Sequence, residues 1–133
     1  MALKSVFLVT LVVDDYDRAK TYYCDVLGFE CLEDSHQPDG KRWVVVSPCK
    51  GTGAALLLAV AANDKQTAVI GKQTGGRVGF FLETDDFLSD YARLKAAGVA
   101  FREAPRSEPY GTVAVFADLY GNLWDLIEPQ PEK

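Results

Sequence analysis

Apolar and polar positions along the chain keep two rhythms, and each change of rhythm is marked by aspartate or glycine. Val6 to Val13 is an apolar, mostly β-branched run of strand length that stops at Asp14-Asp15, whose short side chains suit turns and helix caps. From Asp17 to Leu27, Ala19, Tyr22, Tyr23, Val26 and Leu27 recur at spacings of three and four, and Gly28 stands where a left-handed C-cap belongs. This predicts a helix of about three turns. Phe29 to Leu32, Arg42 to Ser47 and Ala55 to Ala61 read as further strands, separated by Pro38-Asp39-Gly40 and Gly51-Thr52-Gly53; the predicted order is β-α-β-β-β.

The pattern then restarts. Val78 to Thr84 is an apolar run closed by Asp85-Asp86, and Phe87, Leu88, Tyr91, Leu94 and Ala97 follow in helical phase up to Gly98. Val99 to Arg102, Thr112 to Ala117 and Leu123 to Glu128 complete a second set of strands, the last after the Tyr120-Gly121-Asn122 turn. Asp86 lies 71 residues after Asp15, Gly98 lies 70 after Gly28, and Gly121 lies 70 after Gly51. A shift this constant predicts two copies of one supersecondary unit. A unit of roughly 60 residues makes a marginal core alone. The expectation is therefore one domain over 1–133: module one 1–62, a connection 63–76 and module two 77–133.

Composition narrows the class. Of 133 residues 48% are hydrophobic and 25% charged, with a net charge of −5 shared by the two halves and no basic stripe; nucleic acid is not an expected partner. The longest apolar run, Ala54 to Ala62, is about half the roughly 20 residues of a membrane-spanning helix, and no membrane partner is expected. Asp14-Asp15 stands where a secretory signal would carry small residues, so the expected location is the cytoplasm. Cys24, Cys31 and Cys49 show no CxxC spacing and are expected to be reduced and mostly buried. No Gly-x-Gly-x-x-Gly, phosphate loop or Gly-x-Ser-x-Gly elbow is present. The single histidine, His36, falls in the polar stretch Glu33 to Gly40 and is expected to be exposed on a hairpin.

Val12-Val13-Asp14-Asp15-Tyr16-Asp17-Arg18-Ala19, Tyr22-Tyr23 and Leu27-Gly28-Phe29, together with Phe116 to Leu126, resemble the vicinal oxygen chelate superfamily of glyoxalase I, bleomycin-resistance proteins and extradiol dioxygenases. The resemblance spans nearly the whole chain. It implies an α+β fold in which two βαβββ modules pair, their curved mixed sheets enclosing a cavity, usually in a homodimer. It also implies where a catalytic divalent metal would be held. The first ligand lies seven residues before the helix-opening Asp, at Leu8 and Gly79; the last-strand ligand lies four after the turn glycine, at Asp125 and, through the 70-residue shift, Ala55. One of these four positions carries a donor, whereas an open catalytic centre takes about three protein ligands. No metal or other cofactor is expected.

On that resemblance the residues replacing the ligands face a concave sheet. Leu8, Thr10, Gly79, Phe81 and Asp125, with Trp43, Arg106 and Tyr110 nearby, are the expected ligand-binding set: an apolar pocket with one anchored charge, suited to an apolar or cationic small molecule. Arg77, Arg102 or Arg106 is a candidate partner for Asp125. Trp124 is expected on the opposite face as packing. Ala104 to Gly111 reads equally as a lid or as a rigid turn. Three functions stay open: a metal-free binding protein, as bleomycin-resistance members are; a glyoxalase-type lyase or isomerase, or an extradiol-type dioxygenase, with metal held atypically by Asp125, Glu83 and His36; and a structural dimer whose core is closed by Leu8 and Phe81.

Overall fold

The computed structural model of the chain describes residues 1–131. It forms an α+β fold with two mixed sheets, one in each of two compact units. The first unit ends at Ile70, inside the expected connection.

In the first unit β1 (Leu8–Val13) leads into α1 (Tyr16–Thr21). Asp15 caps the helix, its carboxylate accepting from the Arg18 N–H at 2.7 Å, as its place before the apolar phase predicts. The expected three-turn helix is α-helical only for its first part; Tyr22–Val26 widens into a π turn in which the Leu27 N–H reaches the Tyr22 carbonyl at 3.1 Å. Tyr23, fully buried, stacks edge-on to Tyr22 and against Phe29, and Gly28 turns the chain back at φ +82°. Then come β2 (Glu30–His36), β3 (Arg42–Ser47) and β4 (Ala55–Val60), in the order β1-β4-β3-β2 with β1–β4 parallel. β2 runs four residues beyond the expected Leu32. Glu33 to His36 are polar and lie beyond the predicted strand, yet they pair with Val45 to Arg42 across a bulge after Cys31. Their polarity is satisfied by Asp34, which accepts from Lys20 and, through both oxygens, from Arg42. These two cations hold the Asp34 carboxyl well below the usual carboxylate range.

A short helix, α2 (Asp64–Thr67), capped by Asn63, closes this unit. The second unit holds β5 (Val78–Glu83), α3 (Phe87–Ala96), β6 (Ala100–Phe101), β7 (Arg106–Glu108), β8 (Gly111–Ala117) and β9 (Leu123–Pro129). The sheet order is β5-β9-β8-β6, with β7 also on β8 and β5–β9 parallel. β7 corrects the lid expectation: Arg106, Ser107 and Glu108 pair with Val113, Thr112 and Gly111 as a hairpin. The Asp86 side chain, expected as a cap, makes no cap bond; Glu128 of β9 accepts from the Phe87 N–H at 2.8 Å instead. The Tyr120-Gly121-Asn122 turn is organised by buried Asp118, which accepts from the N–H groups of Tyr120 and Asn122, the Asn122 amide and the Trp124 indole.

Each sheet has one covered face. In the first unit it carries Leu11, Val13, Val44, Val46, Leu56 and Leu58; in the second, Phe116, Trp124 and Leu126, with Trp124 stacked on Phe80 and Phe116. Trp124 is on the packing side, opposite Asp125, by strand alternation. Among the described residues no helix is long and apolar enough to cross a membrane. The cysteines are less buried than expected: Cys31 and Cys49 are exposed and Cys24 is half-buried, all free thiols.

Candidate functional site

The predicted site residues fall on the opposite face of each sheet, which is part exposed. In the first unit Leu8 pairs with Ala55 and Thr10 with Leu57; in the second Phe81 pairs with Asp125 and Glu83 with Ile127. These registers revise the correspondence between modules. Leu11 faces Leu58 and Leu82 faces Leu126, so the shift is 71 on the first strands but 68 on the last. Asp125 therefore corresponds to Leu57, and Ala55 to Leu123. A constant shift of 70 misplaces this pair because the loop before β9 is two residues shorter, relative to its strand, than the loop before β4.

Asp125 lies between Phe81 on β5 and Val115 on β8. It is half-buried, and its Oδ1 is shielded from solvent without a hydrogen-bond partner. Burial pushes its carboxyl above the usual carboxylate value; Arg106 opposes this and Glu103 reinforces it. The orphaned oxygen follows from what happens to the nearby cation. Arg106 donates through Nε to both oxygens of Glu103 at 3.1 Å and through a terminal nitrogen to Glu108 at 2.6 Å. Glu103 in turn accepts from the N–H of Val115, the cross-strand partner of Asp125. The expected pairing of an arginine with Asp125 is thus replaced by a cluster that fixes Arg106 on two other carboxylates. Phe81 is 68% exposed, so an aromatic ring stands open beside the carboxylate.

Gly79 behaves differently from its expected role. β5 is bulged there, and a Cβ on Gly79 would come within 2.6 Å of the Thr74 methyl; the space before it is filled by Thr74. In the first unit Leu8, Trp43 and Ala55, with Phe7 and Leu32, line a largely apolar cavity of about 490 Å³. Trp43 and Leu57 also border a second cavity of about 680 Å³. Sequence reasoning places Glu108 with Arg106 and Tyr110 in the two-proline segment but misses Glu103; the Glu-x-x-Arg-x-Glu spacing around Arg106 is the available signal.

Of the positions where the family resemblance implies metal ligands, Leu8, Ala55 and Gly79 carry no donor and Asp125 carries a carboxylate, with Glu83 on the same face of the second unit. His36 pairs with Arg42, in phase with buried Val44, so it projects on the helix-covered side of its sheet. Among the described residues no three His, Cys, Asp or Glu side chains are grouped to hold an ion.

Residues 5–126 match the model of the Glyoxalase/Bleomycin resistance protein/Dioxygenase superfamily, and the chain belongs to that family. It is 51% identical over 126 residues to an uncharacterized protein of Shewanella frigidimarina, covering 94% of this chain and 93% of that one. Among solved structures it is similar to TnmS3, an antibiotic binding protein from Streptomyces sp. CB03234, at 35% identity and a TM-score of 0.79, covering 98% and 99% of the two chains. A superfamily member from Sphaerobacter thermophilus superposes equally well, at 28% identity and a TM-score of 0.79, covering 96% and 99%.

Proposed function

We propose that the protein binds a small molecule with an apolar body and a cationic amine, using Asp125 as the anchor and Phe81 as the apolar contact, without the metal chemistry of its catalytic relatives. The observation carrying this is the shielded, unpartnered Oδ1 of Asp125 beside the exposed ring of Phe81. A buried acceptor left unmade costs about 1–3 kcal/mol, and an N–H donor supplied by a ligand recovers it. A protonated amine also offsets the burial that disfavours the charged carboxylate. The exposure of Phe81 argues against a closed core, and the likeness to an antibiotic binding protein supports a binding role. We place the protein in the cytoplasm as a homodimer, the usual assembly of the family.

A thermal-shift screen of benzylammonium-type amines against their neutral alcohol counterparts tests the reading. A ligand at 100 times its dissociation constant adds about 2.7 kcal/mol, so the amines should raise the melting temperature and the alcohols should not; equal shifts contradict an anchoring role for Asp125. One observation favours a second reading, a lyase, isomerase or dioxygenase with atypical ligands: Glu83 shares the face of Asp125 on the adjacent strand. Native mass spectrometry after dialysis against Ni, Zn, Mn and Fe distinguishes the two, since stoichiometric metal lost in Glu83→Gln supports the enzyme.

A further inference from the structure

A different opening lies wholly within the first unit, at one end of the β3–β4 ladder. Pairing between these strands ends at Val44 and Leu58, although β3 begins two residues earlier at Arg42 and β4 continues two further to Val60. Backbone phase decides what is left there. The N–H groups of Ala55 and Ala61 donate to Phe7 and Val13 on the β1 side, so odd-numbered β4 residues address β1 and Val60 addresses β3. The Lys41 carbonyl accepts from Gln37 on the β2 side at 2.7 Å, so Arg42 turns its main-chain groups toward β4. Arg42 and Val60 thus present donors and acceptors toward one another with no ladder pair between them.

The space around this interruption is the cavity of about 680 Å³, walled by Trp43, Tyr16, Ala59 and Gln66. Trp43 is 41% exposed. The Arg42 guanidinium is committed to Asp34 and Asp17 and lies over the Tyr16 ring, so the charge at this wall is already balanced. The Gln66 side-chain carbonyl accepts from the Ala62 N–H at 2.7 Å, leaving its N–H donors. The cleft therefore offers main-chain hydrogen-bonding groups on two facing strands and an aromatic surface.

We propose that this gap is a second binding site, for an amide-bearing, peptide-like small molecule whose N–H and C=O complete the interrupted ladder between Arg42 and Val60 while an apolar substituent lies on Trp43. Open strand backbone is read by extended amide chains in this way, main-chain bonds giving affinity and side-chain contacts selectivity. The inference is independent of Asp125.

Titration of the ¹⁵N-labelled protein with N-acetyl-L-phenylalanine N-methylamide, and with the matching methyl ester that lacks one N–H, tests it. The amide should move the Arg42, Trp43 and Val60 backbone signals saturably, and the ester should bind at least fivefold more weakly. Trp43→Ala should weaken the amide at least fivefold with the other signals in place, and Asp125→Asn should leave its affinity unchanged. Equal affinity for amide and ester, no movement at Arg42 and Val60, or loss of binding in Asp125→Asn would overturn the proposal.

Discussion

At one register position the two units differ by a single charge. The first unit sets Thr10 against Leu57, and the second sets Phe81 against Asp125. Both pairs sit on the face of a parallel strand pair opposite the packed aromatic and aliphatic core, so topology alone does not demand a polar group there. The carboxylate in the second unit keeps an oxygen without a hydrogen bond while Glu103 and Glu108 hold Arg106. The units diverge again in the turn before the last strand. Asp118 gathers four donor groups, whereas Ser47 in the first unit exchanges weaker bonds with the Cys49 backbone. Asp118 spends its oxygens on the turn, whereas an oxygen of Asp125 has no hydrogen bond, which makes Asp125 rather than Asp118 the functional candidate.

The largest effect is expected at Asp118. Asp118→Ala strands several buried donors and should cost about 3 kcal/mol or more, against about 1 kcal/mol for Ser47→Ala, both read by urea denaturation; equal losses would remove the distinction. Writing the carboxylate of the second unit into the first, as Leu57→Asp, should destabilise by about 2 kcal/mol, since no arranged partner awaits it. The reverse change, Asp125→Leu, should stabilise by about 1 kcal/mol, because a site kept for binding carries a cost that an apolar side chain removes. A loss of stability in that variant would make Asp125 structural.

The pH dependence separates fold from ligand. Folding raises the Asp125 pKa, so the folded state holds that proton more tightly than the unfolded chain. The stabilisation this provides is present at acid pH and is lost as pH rises through the raised value. Asp125→Asn should flatten that part of the stability curve. Amine binding should run the other way, strengthening over the same interval as the carboxylate ionises. The smallest effect concerns the thiols: Cys31 and Cys49, exposed, should react with a disulfide reagent ahead of half-buried Cys24, whose burial pushes its thiol pKa up.

Much of this was legible in residue pattern. The capped start at Asp15, the glycine turn at Gly28, the repeat and the phase of Asp125 opposite Trp124 all follow from local rules. What escaped depended on partners distant in sequence. Glu33 to His36 form a strand because Asp34 is neutralised by Lys20 and Arg42, and α3 is capped from β9 by Glu128. The bulge at Gly79 and the shortened loop before β9 shift register without any compositional mark, so the partner of Asp125 in the other module could not be counted from glycine to glycine. The fate of Arg106 was hidden because Glu103, Glu108 and Asp125 compete for it in space.

The role proposed for Asp125 is to anchor a cation through its unpartnered oxygen. Isothermal titration of benzylammonium into the native protein and into Asp125→Asn, both at a pH where the carboxylate is ionised, addresses it directly. The expected result is saturable binding to the native protein and at least tenfold weaker binding to the variant, with the fold intact. Indistinguishable affinities would contradict it.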